Sequence, residues 1–299
     1  MGRAYLLALV LMLIVTPAFA MSLESYLEAY RYIVELSKLG YNVTNMVDAL
    51  NRALYLQETG HGINASSLLE SLLQEARTEL PQARAHYLID MAINIVALAL
   101  AVAAAALLYL KRRELIGALW LRLRGNDRVR GGGDGRARSL LFDAEVAAVL
   151  LAVFVVAVIM AVSPVVLNKY NQPFSAIGLL GPDMKIGGYP TAAALHQPIK
   201  LYVYVYNHMG VPTWYVVKLY FVNTTSLPPL NVTPIAVYQR ILPYNESWVI
   251  PIVVVPNSTG RYRLVGELWM YSPDNMTLIY TGDYVQIWIN VTKPTPNKR

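Results

Sequence analysis

KLYVYVYN, at residues 200–207, decides the fold class of the C-terminal part of the chain. Leu and Val at its odd positions alternate with Tyr at its even positions. Alternation with a period of two predicts a β-strand with one buried face. The same period recurs at 214–221, and it predicts further strands at 247–255, 261–271, 277–281 and 284–291.

The last of these strands indicates which face is buried. Val285, Ile287 and Ile289 lie on one face, whereas the other face carries polar residues and a tryptophan. We therefore expect the odd-numbered face to form the core. Six or seven antiparallel strands separated by proline-rich turns within 168–299 predict an immunoglobulin-like β-sandwich.

The composition of the whole chain is too apolar for an ordinary soluble enzyme. Of its 299 residues, 56% are hydrophobic and 15% charged, and the mean hydropathy is +0.39. Soluble globular domains carry about 25% charged residues. The sequence therefore predicts the lipid bilayer as a partner. The absence of cysteine excludes disulfides, thiolate zinc sites and cysteine nucleophiles.

Two long apolar runs predict a transmembrane hairpin. The first, 87–110, contains the polar residues Asp90 and Asn94 four positions apart and is followed by Lys111-Arg112-Arg113. The second run is 144–167. Each is long enough for a helix that crosses the hydrocarbon layer. The predicted class is thus a membrane-anchored α+β protein with an outer helical segment, a two-helix transmembrane hairpin and an outer sandwich.

The net charge of +6 is concentrated between the two apolar runs. Nine basic and three acidic residues lie within 111–142, so this stretch accounts for the whole excess. A basic segment that borders apolar spans is typical of a cytoplasmic loop, here 111–143. Binding of anionic lipid or of an acidic partner is the alternative role. Because the remainder of the chain is neutral, we expect no nucleic-acid partner.

Residues 1–20 predict a secretory signal peptide. Arg3 precedes an apolar stretch that ends in Ala18-Phe19-Ala20, a pattern typical of cleavage sites. An uncleaved anchor is the alternative. With this leader, the positive-inside rule places 21–86 and 168–299 outside the cell.

Eight acceptor motifs for N-glycosylation support this topology. None of them lies in the basic loop, and such motifs are used on the translocated side. The glycosylation candidates are Asn42, Asn64, Asn223, Asn231, Asn245, Asn257, Asn275 and Asn290.

The outer segment 21–86 is predicted to be helical. Apolar residues follow a 3.6-residue period from 22 to 39, and Gly40 stands where a helix ends. A second helix is expected from an Asn45 cap to Glu58, and a third after Asn64. Pro81 is expected in the first turn of the spanning helix.

Two resemblances to known proteins follow from longer motifs. PFSAIGLLGPDMKIGGYP at 173–190 and YNHMGVPTWYVVKLYF at 206–221 resemble the archaeal membrane family known as domain of unknown function 1616. The resemblance implies an envelope protein and no particular mechanism. Residues 41–76 are similar to helical hairpins of archaeal surface proteins. The matching family-motif residues are Phe174, Leu179, Leu180, Gly181, Pro182, Tyr189, Pro190, Asn207 and His208.

No acid–base pair, nucleophile or metal set has a recognisable spacing, so we expect no catalytic, cofactor or metal site. Asn207 and His208 are expected to satisfy turn backbone, with ligand contact by His208 as the alternative. The tyrosines of the strands are either strand formers or a surface for sugars or proteins. The sequence therefore predicts non-catalytic binding or scaffolding of an envelope protein or glycan. The alternative is an accessory subunit that docks through the transmembrane hairpin and Asp90.

Overall fold

The computed structural model describes residues 23–110, 155 and 172–293. The chain divides into two compact units, one formed by Met1–Ala85 with Gln172–Arg299 and the other by His86–Asn171. The predicted signal peptide and basic loop lie outside the described residues, as does the second span except for Val155.

Three helices precede the sheets. They are α1 at residues 23–38, α2 at Thr44–Glu58 and α3 at Gly62–Leu110. The helix predicted at 22–39 is confirmed. Gly40 and Gly60 both have positive φ angles, 81° and 82°, which glycine adopts without a Cβ clash. These two glycines therefore end α1 and α2.

The starts of α2 and α3 differ from the prediction. The residue before the first turn of α2 is Val43, so the expected Asn45 cap is wrong. Instead, the Asn42 side-chain oxygen accepts a hydrogen bond from the Thr44 backbone N–H, 3.1 Å away. Helix α3 begins at Gly62 rather than after Asn64.

Helix α3 also overturns the prediction of a transmembrane hairpin. Residues 87–110 are not a separate helix that begins near Pro81, because α3 continues from Gly62 through Pro81 to Leu110. Over the part of the chain that the structure describes, none of the helices combines the length and hydropathy that a membrane crossing demands. The two-helix transmembrane hairpin is therefore wrong as a description of this fold.

In the described part of the chain, eight strands form two sheets. The three-stranded sheet has the order β1-β3-β6, and the five-stranded sheet has the order β2-β8-β7-β4-β5. All neighbours are antiparallel except β2 and β8. The strands are β1 Phe174–Leu180, β2 Ala192–Ala194, β3 Ile199–His208, β4 Thr213–Val222, β5 Ala236–Leu242, β6 Ser247–Val254, β7 Gly260–Tyr271 and β8 Leu278–Thr292.

The β-sandwich predicted at the C-terminus is confirmed, with eight strands rather than six or seven. Leu201, Val203 and Val205 of β3 are buried against Val217 and Leu219 of β4, so both sheets contribute to one core. The two strands expected at 277–281 and 284–291 are one strand, β8. Its pairing with β7 shifts register beside Glu267 and Trp269, where a β-bulge accommodates the irregularity.

The helices cover the other face of the five-stranded sheet. Tyr30 of α1 packs edge-on against Trp214 of β4, with ring centroids 5.9 Å apart. Asn51 of α2 both donates to the carbonyl of Ile241 and accepts from its N–H, each at 2.8 Å. This pair of bonds satisfies backbone groups on the edge strand β5. Helices and sheet thus share one hydrophobic core.

Candidate functional site

The outer face of the three-stranded sheet carries a row of aromatic side chains. Because alternate residues of a strand point to opposite faces, the same pattern that buries Leu201 and Val203 turns the tyrosines outward. We call this surface the aromatic face. It consists of Tyr202, Tyr204, Tyr206 and His208 of β3, Phe174 of β1, and Val249, Pro251 and Val253 of β6.

The rings are concentrated at one end of this face. Phe174 lies directly opposite His208 in the strand register, and their ring centroids are 4.7 Å apart. Tyr206 stacks beside His208 at 6.1 Å, with an angle of 20° between the planes. Tyr244, from the loop between β5 and β6, lies 5.2 Å from His208. We call these four rings the aromatic cluster.

Asn207 anchors the cluster from below. Its amide nitrogen lies 2.8 to 3.0 Å from three backbone carbonyls, those of Val211, Leu242 and Pro243. Its oxygen accepts from the Met209 N–H and from the Tyr215 hydroxyl, at 2.9 Å and 3.2 Å. The prediction that Asn207 satisfies turn backbone is confirmed.

Tyr215 continues the network beneath the sheet. Its hydroxyl lies 2.7 Å from the Ser175 hydroxyl, and its ring is fully buried between the sheets. Burial raises the pKa of Tyr215 to about 12. A phenol that stays protonated keeps its hydrogen available for Asn207. The network therefore links β1, β3 and β4 below the aromatic cluster.

His208 has a different position from the one expected of a turn residue. Its ring lies among the aromatic side chains, and its Nδ1 atom is buried without a hydrogen-bond partner in the described part of the chain. His208 thus contributes ring surface to the outer face rather than a hydrogen bond to the turn.

The remaining motif residues build the loop after β1. A Cβ atom on Gly181 would lie 2.2 Å from the carbonyl oxygen of Gly187, so no other residue fits there. The Tyr189 hydroxyl donates to the carbonyl of Leu179 at 2.6 Å. Leu179 is buried, and Leu180 faces outward opposite Tyr202. Gly181 and Tyr189 therefore hold this loop close to the end of β1.

The aromatic face is almost free of charge. Among the outward residues of β1, β3 and β6, Lys200 at the end of β3 is the one charged side chain. Val249 and Val253 are 39% and 58% exposed, so apolar surface continues beside the tyrosines. Depletion of charge and enrichment in tyrosine are typical of the centre of protein interfaces.

The eight glycosylation candidates all lie at exposed positions. None of them belongs to β1, β3 or β6. In two motifs the asparagine oxygen accepts from its own threonine, at 2.8 Å for Asn42 with Thr44 and 2.7 Å for Asn275 with Thr277. The eight acceptor asparagines therefore all lie outside the three strands of the aromatic face.

Asp90 and Asn94, predicted as intramembrane polar residues, lie on an exposed stretch of α3. They belong to the unit His86–Asn171. Within the ranges that the structure describes, no three His, Asp or Glu side chains lie close enough together to hold a metal ion.

Sequence reasoning missed a buried carboxylate, Glu267 of β7. Its two oxygens accept from the Leu230 N–H at 2.6 Å and from the Trp269 indole N–H at 2.9 Å. Burial, together with the neighbouring Glu267 carboxylate, raises the pKa of Tyr220 to about 12. Glu267 thus fastens the loop before β5 to the sheet. The local sequence pattern did not indicate that Glu267 is buried, because the loop that covers it is distant in the chain.

Sequence reasoning also missed Tyr244 and the three β6 residues of the aromatic face. The tyrosines of β3 were recognised as a candidate surface, but their neighbours depend on strand register. A run of alternating residues shows which side chains share a face and does not show which strand lies beside it. One sequence signal was available. Ala176 and Gly178 of β1 lie opposite Tyr206 and Tyr204, and their small size leaves the tyrosine rings uncovered.

Comparisons with known proteins give weak structural similarities. No family model and no curated protein match the chain. The crystal structure of the CARDB domain of the PF1109 protein from Pyrococcus furiosus, in complex with di-metal ions, is 16% identical. The match covers 41% of this chain and 90% of that domain, with a TM-score of 0.30.

A β-glucosidase from Listeria innocua in complex with laminaribiose is 11% identical. The match covers 40% of this chain and 16% of the glucosidase, with a TM-score of 0.29. At such scores these similarities carry no argument about activity, ligands or partners. The chain has a β-sandwich domain, and its function has to be argued from its own surface.

Proposed function

We propose that this chain is an envelope protein that displays its β-sandwich outside the cell and binds a partner protein there without catalysis. The aromatic face is the binding surface. The observation that carries the proposal is the combination of an exposed, nearly uncharged aromatic sheet face with eight exposed acceptor asparagines that lie outside its three strands.

The chemistry of the face favours a protein partner. Tyr202 lies opposite Pro251 and Tyr204 lies opposite Val249, so each tyrosine has an apolar neighbour on β6. Tyrosine offers a large contact area with little loss of side-chain entropy, and its hydroxyl hydrogen-bonds at the rim of an interface. A glycan is the second class of partner, since tyrosine rings also stack on sugars.

External display is supported by the acceptor motifs. Glycans on eight exposed asparagines require translocation of both 21–86 and 168–299. The alternative function was an accessory subunit that docks through a transmembrane hairpin. That alternative is withdrawn because the hairpin prediction is wrong. The display proposal does not depend on that hairpin.

The test uses the full-length protein and envelope fragments isolated from the cells that make it. Wild-type protein is expected to bind the fragments, and Tyr204→Ala to weaken binding at least about tenfold, the effect of losing a central aromatic anchor. Tyr284→Ala, at an exposed position of strand β8, is the matched control and is expected to bind as wild type.

Pretreatment of the fragments distinguishes the partner classes. Protease is expected to abolish binding, whereas periodate, which oxidises sugars, is expected to leave it intact. Loss of binding after periodate alone would show that the partner is a glycan. Equal binding by Tyr204→Ala and Tyr284→Ala would show that the aromatic face is not the binding surface.

A further inference from the structure

One acceptor motif borders the aromatic cluster. Asn245 lies in the loop that joins β5 of one sheet to β6 of the other, directly after Tyr244. Its backbone N–H donates to the carbonyl of Asn207 at 2.8 Å, and the Asn207 N–H donates to the carbonyl of Glu246 at 3.0 Å. The loop is therefore fixed to the end of β3, and Asn245 is held in place beside the rings.

The side chain of Asn245 is oriented by a cluster residue. The Tyr206 hydroxyl donates to the Asn245 side-chain oxygen. The asparagine itself is exposed. With its oxygen occupied by Tyr206, the amide nitrogen Nδ2 is the atom left for attachment of a sugar.

The other described motifs lack this arrangement. In Asn42 and Asn275 the side-chain oxygen bonds the threonine of the motif itself. Among the eight motifs, all of which the structure describes, Asn245 is the one whose carboxamide is bonded to an aromatic hydroxyl. A sugar on Nδ2 of Asn245 begins next to Tyr206 and Tyr244 rather than in open solvent.

We propose that Asn245 carries a glycan whose first sugars pack on the aromatic cluster and stabilise this end of the sandwich. In the modification, Nδ2 forms a bond to the anomeric carbon of the sugar and loses one proton. The lipid-linked phosphate of the donor leaves with the electron pair of the broken bond. The apolar C–H face of a sugar ring covers the exposed aromatic rings, which removes apolar surface from water.

This inference deepens the proposed function, because it depends on display outside the cell. It also divides the aromatic face into two parts. The cluster at the His208 end is covered by the chain's own glycan, and the end at Tyr202 and Tyr204 remains open for a partner. The two parts are therefore tested with different variants.

The test compares full-length protein purified from the cells that make it. Ser247→Ala removes the acceptor motif while it keeps Asn245, whose φ of 65° asparagine adopts more readily than other residues. Thr259→Ala is the matched control, because it removes the motif at Asn257, beyond the opposite end of β6. Glycopeptide mass spectrometry measures occupancy, and tetranitromethane measures the reactivity of Tyr206 and Tyr244.

Wild-type protein is expected to carry a glycan on Asn245 and to resist nitration at both tyrosines. Ser247→Ala is expected to raise nitration several-fold and to lower the melting temperature, whereas Thr259→Ala changes neither. Unoccupied Asn245 in the wild type would overturn the inference, as would equal nitration in wild type and Ser247→Ala. Either result leaves the envelope binding of Tyr204→Ala as a separate test of the proposed function.

Discussion

At the scale of single residues, Tyr30 joins the helices to the sandwich. Its hydroxyl lies 3.3 Å from the carbonyls of Pro212 and Tyr271, and it accepts from the Trp214 N–H at the same distance. The whole side chain is buried. Burial raises the pKa of Tyr30 well above its ordinary value of 10.0. One phenol therefore accepts from one backbone N–H and shares its single hydrogen between two backbone carbonyls of the sandwich.

Tyr30→Phe is expected to lower the free energy of unfolding by about 1–2 kcal/mol at pH 8, because buried backbone groups lose a partner. Its pH dependence also changes. Because the folded state keeps the Tyr30 proton, this contribution is complete below pH 10 and is lost as the pH rises above that value, where the unfolded chain ionises.

Urea unfolding at pH 8 and at pH 11 measures both effects. The wild type is expected to lose more stability between these pH values than Tyr30→Phe does. Tyr55→Phe on α2, at an exposed position, is the control and follows the wild type. A variant with the same alkaline loss as the wild type would contradict the role of Tyr30.

Residue-level prediction from the sequence succeeded for Asn207 and failed for Asn45. Asn207 stands before a turn that contains Gly210, where a side-chain amide commonly bonds backbone, and it does so here. Asn45 has the same local propensity, but the helix begins at Thr44, so Asn45 lies within its first turn. Local chemistry predicts which residues favour a cap, whereas the packing of α2 against the sheet decides where the helix starts.

At the scale of elements, the spacing between the two sheets depends on Gly266 of β7. A Cβ atom there would lie 3.1 Å from Cγ2 of Val285 and 3.9 Å from Cγ2 of Val203, which belongs to the other sheet. Gly178 of β1 faces outward, and a Cβ atom there would lie 3.7 Å from Cβ of Tyr204. Both glycines lie within β-strands, but a side chain at position 266 has much less space than one at position 178.

Gly266→Ala is expected to destabilise the fold by about 1–3 kcal/mol, because a methyl group between packed strands forces its neighbours apart. Gly178→Ala is expected to change stability by less than about 1 kcal/mol, since its methyl group meets ordinary contacts and reduces the entropy of the unfolded chain. Thermal unfolding of both variants measures the difference, and equal losses would contradict it.

Strand positions were predictable because period-two patterns dominate β3 and β6. Strand β4 shows where this reasoning ends. Both of its faces are buried over most of its length, because the helices cover one face and the other sheet covers the other. The order of the strands, including parallel β2, depends on contacts between distant segments that no local pattern encodes.

At the scale of the whole molecule, the sandwich is incomplete without its helices. Trp214, Val216 and Ile241 lie on the outer side of the five-stranded sheet and are buried by α1 and α2. The outer helical segment was predicted as a part distinct from the sandwich, but it shares a core with the sheet. Amphipathic periodicity predicts that a helix has an apolar face, and it does not identify the surface that covers that face.

A fragment of residues 172–293 alone is expected to aggregate or to melt well below a chain that joins 23–85 to 172–293 through a short linker. Each large apolar side chain left uncovered costs about 1.5–3 kcal/mol. The joined chain is expected to unfold in one transition, with coincident curves from circular dichroism and tryptophan fluorescence. A stable, monomeric sandwich fragment would contradict the shared core.

Pro251, in the edge strand β6, restricts how this protein associates with its neighbours. A proline has no backbone hydrogen to offer to an incoming strand, so a foreign chain cannot extend the three-stranded sheet by continuous pairing along β6. Fibre formation by strand pairing along β6 is therefore disfavoured. Along β6, contact with a neighbour is therefore left to side chains, which mutation can adjust one position at a time.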